Sequence, residues 1–358
     1  MKFPTLISFT DYLNTAQEYD CIIDVRSPGE FAEDHIPGSI NCPVLNDEER
    51  IKVGTIYKQV SAFEAKKVGA ALVAKNIGEH IEQLFLDKDK NWRPLITCWR
   101  GGNRSGSMTH ILNKIGWHAA QLDGGYKSYR QFVNASLPKI VTTLHFVIIC
   151  GETGSGKSRL LQTMRNQGAQ VLDLEELACH RGSVLGGLPT QAQPAQKYFE
   201  SQVWQQLRQF DPKHPIFVEA ESKKIGNVHV PPALMERMRA SPCLRVESSL
   251  QQRVEFLLDD YAHFTASPTK LKEQLLCLST LYGKEKINNW CDLIDQDRLS
   301  ELVEILLATH YDPGYRRGTN HNYKQAEQAQ CFTLRGNAIA DFDALAQQIL
   351  ADFNPGHR

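Results

Sequence analysis

The 358-residue sequence has no apolar run near the roughly 18 residues that a membrane span needs, and no low-complexity tract or long Gly/Ser linker. Its start, M-K-F-P-T-L-I-S-F-T-D-Y, lacks a signal-peptide core and cleavage site, so the expected location is the cytoplasm. Nine cysteines, at positions 21, 42, 98, 150, 179, 243, 277, 291 and 331, form neither a C-x-x-C pair nor a His/Cys cluster at zinc spacing. That pattern argues against a disulfide framework and a structural zinc, and in a reducing compartment most of these thiols serve as small buried hydrophobes. Net charge is only −1, which removes the global basicity of many nucleic-acid binders. A local patch stays open, because Lys223, Lys224, Arg237, Arg239, Lys270, Lys272, Lys284, Lys286, Arg316, Arg317 and Lys324 recur in the second half; taken singly, they read as solvated charge.

What is present is a chain long enough for two cores, 42% hydrophobic and 23% charged. In the first half, apolar runs at Cys21 to Val25, Leu95 to Cys98 and Ala119 to Leu122 alternate with helical patterns at Ser61 to Asn76, about Arg104 to Ile115, and Tyr126 to Leu137. Such alternation predicts a parallel sheet with helices on its faces, and chemistry collects at the C-terminal ends of such strands. Cys98 sits at one such end, opening C-W-R-G-G-N-R-S before a helix. Two glycines allow a tight loop whose N–H groups could converge. With a helix N-terminus and Arg100 or Arg104 nearby, the loop is suited to lowering the thiol pKa and holding an anion on sulfur.

The segment I-I-D-V-R-S-P-G-E-F-A-E-D-H-I-P-G-S-I-N-C-P, Ile22 to Pro43, resembles the N-terminal signature of rhodanese domains, and L-D-G-G-Y-K-S-Y, Leu122 to Tyr129, resembles their C-terminal signature. With the Cys98 loop, the resemblance covers nearly the whole first half. Asp24 and Arg26 then brace the sheet end near the loop or form a structural ion pair, both readings remaining open. One departure stands out. Sulfur-transferring rhodaneses usually place four residues between the loop Cys and Arg, whereas five separate Cys98 from Arg104, as in related dual-specificity phosphatases. A larger loop suits a larger group, phosphate or selenium among them.

The second half opens with the apolar run Leu144 to Cys150, followed by G-E-T-G-S-G-K-S at Gly151 to Ser158 and a helical pattern to about Arg165. This is a P-loop in its required strand–loop–helix context. The amides around Gly151, Gly154, Ser155 and Gly156 can wrap a phosphate, Lys157 supplies a point charge, and Ser158 can ligate Mg²⁺. The motif specifies a polyphosphate, not a nucleoside. Val171 to Leu174 and Pro215 to Glu221 read as buried strands ending in acids, which makes Glu219 the second metal candidate and Asp173 a weaker one. In A-C-H-R-G-S, Arg181 ranks above His180 as a phosphate contact, whereas Arg245 and Arg253 read as solvated charge. Apolar stripes from Ser249 to about Ala308 predict a helical region with its own core. Tyr311, Asp312, Tyr315 and Arg316, in H-Y-D-P-G-Y-R-R, form a polar-aromatic cluster able to stack on and contact a nucleotide of RNA.

The expected architecture is therefore α/β: a rhodanese-like parallel-sheet domain at 1–137, a linker at 138–143, and a P-loop α/β domain at 144–358 with a helical extension at about 249–308. That order of domains, with V-E-A-E-S-K-K-I-G at Val218 to Gly226, A-C-H-R-G-S and H-Y-D-P-G-Y, resembles the tRNA 2-selenouridine synthase family over essentially the entire chain. The resemblance implies a tRNA substrate with 2-thiouridine at the wobble position. It also implies geranyl diphosphate and selenophosphate as co-substrates, an S-geranyl intermediate, and selenium carried as an S-selanyl adduct on Cys98. Three other readings of the same residues are an ATP-dependent sulfurtransferase, a cysteine phosphatase fused to a kinase-like domain, and a non-catalytic RNA-binding module in which Cys98 would be dispensable.

Overall fold

The structure, a computed structural model, describes residues 5–183, 186–187, 191–262 and 267–353. The chain divides into two compact units, one of Met1–Leu137 with Ala195–Gln205 and one of Pro138–Pro194 with Gln206–Arg358. Both are parallel-sheet α/β units, and among the described residues no helix is long and apolar enough to cross a membrane.

In the first unit β1 (Thr5–Ile7), β2 (Cys21–Asp24), β3 (Ile40–Asn41), β4 (Pro94–Thr97) and β5 (Ala120–Leu122) form one sheet in the order β1-β5-β4-β2-β3, every pair parallel. The central strands are buried on both faces, which is why they read as unbroken apolar runs rather than alternating ones. The Ala62–His80 helix is started by Ser61, whose hydroxyl accepts from the Glu64 amide, and the Asn103–Ile115 helix follows β4 through the Cys98 loop.

Two boundaries differ from the sequence reading. Residues 138–143, expected as a linker, are the last turns of the Gly125–Thr143 helix, which carries Pro138 inside it. Most of the Gln196–Leu207 helix, assigned by sequence order to the second domain, belongs to the first unit. Burial is the reason. Trp204 is fully buried against Phe9, Tyr129 and Phe132, and its indole N–H donates to Ser136 Oγ at 2.9 Å.

The second unit has β6 (Phe146–Cys150), β7 (Gln170–Leu172), β8 (Ile216–Glu219), a small antiparallel hairpin of β9 (Lys224–Ile225) and β10 (Val228–His229), then β11 (Cys243–Glu247) and β12 (Gln330–Thr333). Its main sheet runs β12-β11-β6-β8-β7, all parallel, so the strand order reverses at β6 and the phosphate loop leaves from that point. Ile149, Leu160, Phe217, Leu244 and Phe342 centre the sheet core. The helical region expected at about 249–308 has a core of its own around Leu275, Ile287, Trp290 and Leu302. β12 and the Ile339–Phe353 helix, which complete this unit, were not read from the sequence.

Candidate functional site

Cys98 directly follows β4 with its side chain buried, its Sγ 3.0 Å from Ser105 Oγ in the first turn of the following helix. Ser105 Oγ also accepts from Gln121 Nε2 at 3.0 Å and lies 3.3 Å from the Gly102 carbonyl, so its single proton can go either to that carbonyl or to the sulfur. The loop is clamped backbone to backbone. The amides of Tyr126 and Lys127 donate to the carbonyls of Cys98 (2.8 Å) and Trp99 (3.0 Å). Gly125 permits this approach, because a Cβ there would stand 2.2 Å from the Cys98 carbonyl at a φ of +56°. The segment Leu122 to Tyr129 is thus the wall against which the cysteine loop is folded.

The two arginines diverge. Arg104 binds Glu30 through both ends of its guanidinium, at 2.6 and 3.1 Å. Burial alone would lower its pKa, but Glu30's hydrogen bonds and charge, with Cys98 adding to them, raise it on balance. Arg100 is exposed and has no ion-pair partner among the described residues. Arg26 and Asp24 form a buried bidentate pair, with Arg26 also donating to the Asp34 carbonyl at 2.6 Å and lying 4.0 Å over the Tyr126 ring. This pair supports the loop wall from beneath and does not reach the sulfur's hydrogen-bond partners.

In the second unit the Gly151 to Ser158 loop lines a cavity of about 910 Å³ shared with Arg181, Glu219, Glu221, Tyr311 and Tyr315. Gly156 has a φ of +77°, and a Cβ there would lie 2.7 Å from the Phe342 ring. Lys157 Nζ donates to the carbonyls of Gly151 (2.6 Å) and Glu152 (3.3 Å). Burial holds its ammonium below the ordinary lysine pKa, against the pull of Glu175, Glu221 and Glu219.

Ser158 Oγ donates to Glu175 Oε2 at 3.0 Å, and the Glu175 amide donates to Glu219 Oε1 at 2.9 Å. Glu219 Oε2 is buried with no hydrogen-bond partner among the described residues, and the same holds for Ser155 Oγ. Burial and mutual repulsion raise the pKa of Glu219 and Glu175 and push Glu221 up to about 8. An orphaned carboxylate oxygen in a field of like charge is the setting a divalent cation satisfies, so Ser158 and Glu219 fit Mg²⁺. Among the described residues no three His, Cys, Asp or Glu side chains make a complete metal cage. Asp173 lines the same cavity and adds its charge to Glu219, while its carboxylate caps the Leu174–Ala178 helix by accepting from Glu176 N at 2.8 Å.

The polar-aromatic cluster does something the sequence did not announce. Tyr315 Oη accepts from the Gly151 amide at 2.6 Å, and Arg316 pairs with Glu152 at 2.8 Å. Asp312 binds Arg253, which donates onward to the Thr153 carbonyl at 2.8 Å and to Glu152 at 2.7 Å. Asp312, Tyr315 and Arg316, expected on a nucleotide, therefore grip the phosphate loop, while Tyr311 lies at the cavity edge. Arg253, expected as solvated charge, is only 4% exposed. Its charge is needed by two carboxylates and a carbonyl, a requirement that a helical pattern in sequence cannot reveal. Arg245 is half exposed beside Glu247, as expected of surface charge. Arg181 pairs with Asp260 and lies over the Tyr261 ring at the cavity wall, and His180 accepts from the Gly182 amide through Nδ1. Glu30, Ser105, Gln121, Glu152, Glu175 and Glu221 were given no role in the sequence reading; Glu30, Ser105, Glu152 and Glu221 lay inside the S-P-G-E, C-W-R-G-G-N-R-S, G-E-T-G and V-E-A-E segments that could have pointed to them.

The family model for the rhodanese-like domain matches residues 9–132, and that for the tRNA 2-selenouridine synthase AAA domain matches residues 144–279. The chain is 38% identical over 365 residues to the tRNA 2-selenouridine synthase of Nitrosomonas eutropha, covering 88% of this chain and 93% of that one. It is 37% identical to the same enzyme of Nitrosomonas europaea over 67% of this chain and 63% of that one, and 30% identical to that of Cupriavidus pinatubonensis over 91% and 94%. At this identity over nearly the whole length of two such relatives, the chain belongs to the tRNA 2-selenouridine synthase family and is a tRNA-modifying enzyme.

Proposed function

We propose that the enzyme converts 2-thiouridine at the wobble position of tRNA into 2-selenouridine in two steps, one at each loop, in the cytoplasm. In the first, the base sulfur attacks C1 of geranyl diphosphate. The C–S bond forms, the C1–O bond breaks, diphosphate leaves and the base gives up its N3 proton. Lys157 and the Gly151 to Ser158 amides receive the departing diphosphate, with Arg181 at the cavity wall. Ser158 and Glu219 would hold Mg²⁺, which when bound neutralises diphosphate charge.

In the second step selenium from selenophosphate attacks C2. The C2–Se bond forms, the C2–S bond breaks, geranylthiol leaves with a proton, and water cleaves the Se–P bond. The Cys98 loop binds selenophosphate as an intact anion, the Cys98 thiol donating to it with Ser105 on the sulfur and Arg100 and Arg104 flanking the loop. Alkylation comes first for a chemical reason: a bare thiocarbonyl sulfur is a poor leaving group, whereas geranylthiol departs neutral.

The observation that carries this reading is the phosphate loop with Lys157 open to a 910 Å³ cavity, roomy enough for a base beside a diphosphate. Nucleoside mass spectrometry tests it, with tRNA, geranyl diphosphate and selenophosphate supplied and each omitted in turn. Omitting selenophosphate should leave S-geranyl-2-thiouridine, and omitting geranyl diphosphate should leave 2-thiouridine untouched. Formation of 2-selenouridine without a prenyl donor, or a strict requirement for ATP, would overturn it.

A further inference from the structure

A second hollow adjoins the phosphate cavity in the same unit. It is a cleft of about 80 Å³ whose inner wall is Leu258, Leu271, Leu299, Leu302, Val303 and Leu306. Its mouth is formed by Thr153, Ser183, Leu257, Tyr261 and Tyr311, all of which also line the phosphate cavity, so the two spaces open onto one another at the phosphate loop. Protein interiors are close-packed, and a cleft walled by leucine and valine would ordinarily close on itself. This one stays open where a diphosphate would sit.

The reason lies in one run of helix. Leu299–Leu306 presents Leu299, Leu302, Val303 and Leu306 at the three- and four-residue spacing of a single face. The turn Leu307–Tyr311 is π-helical, which widens the helix and carries Leu307 and Tyr311 onto the same cleft. The next helix, Asp312–Asn322, then turns Asp312 and Tyr315 onto the phosphate loop. Apolar wall and loop clamp are thus successive turns of the same segment.

We propose that this cleft seats the isoprenoid chain of the donor, head at Lys157 and tail between the Leu250–Asp260 and Leu299–Leu306 helices, and that its depth sets the chain length. The inference rests on the prenyl transfer proposed above. The inner-wall side chains are leucines and a valine, which suit a hydrocarbon chain better than a nucleobase or ribose. A space of this size holds roughly five to eight waters, or about 150–240 Å³ of matter, the scale of a ten-carbon chain.

The test is a donor panel of dimethylallyl, geranyl and farnesyl diphosphates, with tRNA containing 2-thiouridine as acceptor, and wild type compared with Val303→Phe and Leu299→Ala. Wild type should prefer geranyl. Val303→Phe should shift the kcat/KM ratio of geranyl to dimethylallyl donor down by on the order of tenfold or more, the scale at which apolar pockets discriminate methylenes. Inhibition by inorganic diphosphate should stay within about twofold, because the phosphate loop is untouched. Leu299→Ala should raise farnesyl use. Wild-type donor ratios in both folded variants would overturn the cleft assignment, whereas a wild type that transfers no prenyl group from any donor would overturn the two-step reading beneath it.

Discussion

The cysteine loop and the phosphate loop are built from different materials. Around Cys98 the loop is clamped by backbone-to-backbone bonds, the amides of Tyr126 and Lys127 tied to the Cys98 and Trp99 carbonyls, with side-chain bonds from Ser105 and Gln121 beside them. Around Gly151 the contacts are side chain to backbone and far in sequence, Tyr315 lying 164 residues from Gly151 and Arg253 101 residues from Glu152. A backbone clamp makes a rigid pocket for one small anion. A clamp of side chains on helices can instead answer what enters the neighbouring cavities, which suits a site that must admit a bulky donor and release diphosphate.

That contrast can be broken at several points, beginning where the effect should be largest. Gly125→Ala places a Cβ against the Cys98 carbonyl and the Gly101 amide, atoms that cannot move without unfolding the loop. It should abolish selenium incorporation while geranyl transfer survives, measured by nucleoside mass spectrometry. Arg253→Met leaves Asp312 without its cation and Glu152 with Arg316 alone. Breaking such a pair costs about 3 kcal/mol or more, and thermal unfolding should show the loss, with geranyl transfer falling alongside it. Tyr315→Phe removes a single acceptor from the Gly151 amide, about 1 kcal/mol, and should slow geranyl transfer several-fold with selenation of pre-geranylated tRNA unchanged.

The smallest effect lies in the first unit. His35 is stacked 3.7 Å from Phe31 and 4.1 Å from Tyr198, and burial lowers its pKa below 6.5. The unfolded chain therefore takes up the proton first. Stability present above pH 6.5 is lost as pH falls through that value toward the folded pKa. Between about pH 7.5 and 5.5 wild type should lose more stability than His35→Phe in denaturant titrations.

The same contrast explains what could be read in the sequence. Cys98, its glycines and the L-D-G-G-Y wall are neighbours along the chain, and the P-loop strand, turn and helix lie within one short segment, so local pattern sufficed for both. The inner strands β2, β4, β6 and β8 were legible for a similar reason, since parallel strands buried on both faces leave continuous apolar runs, whereas the edge strands β1, β3 and β12 were not. Arg253 and Asp312 were not legible in their true roles. Whether an arginine in a helix faces water or two carboxylates is decided by packing across about a hundred residues, and spacing along its own helix is silent on that. The Gln196–Leu207 helix was misassigned on the same ground, because only tertiary burial of Trp204 shows which core it serves.

The central claim is a division of labour between two loops, and one measurement addresses it most directly. Cys98→Ser and Lys157→Ala proteins are each given thiolated tRNA with both co-substrates, and separately pre-geranylated tRNA with selenophosphate, the nucleosides being read by mass spectrometry. The account predicts that Cys98→Ser accumulates S-geranyl-2-thiouridine and makes no 2-selenouridine from either tRNA. It predicts that Lys157→Ala leaves 2-thiouridine untouched yet converts the pre-geranylated tRNA to 2-selenouridine. Selenation by Cys98→Ser, or failure of Lys157→Ala on pre-geranylated tRNA, would contradict it.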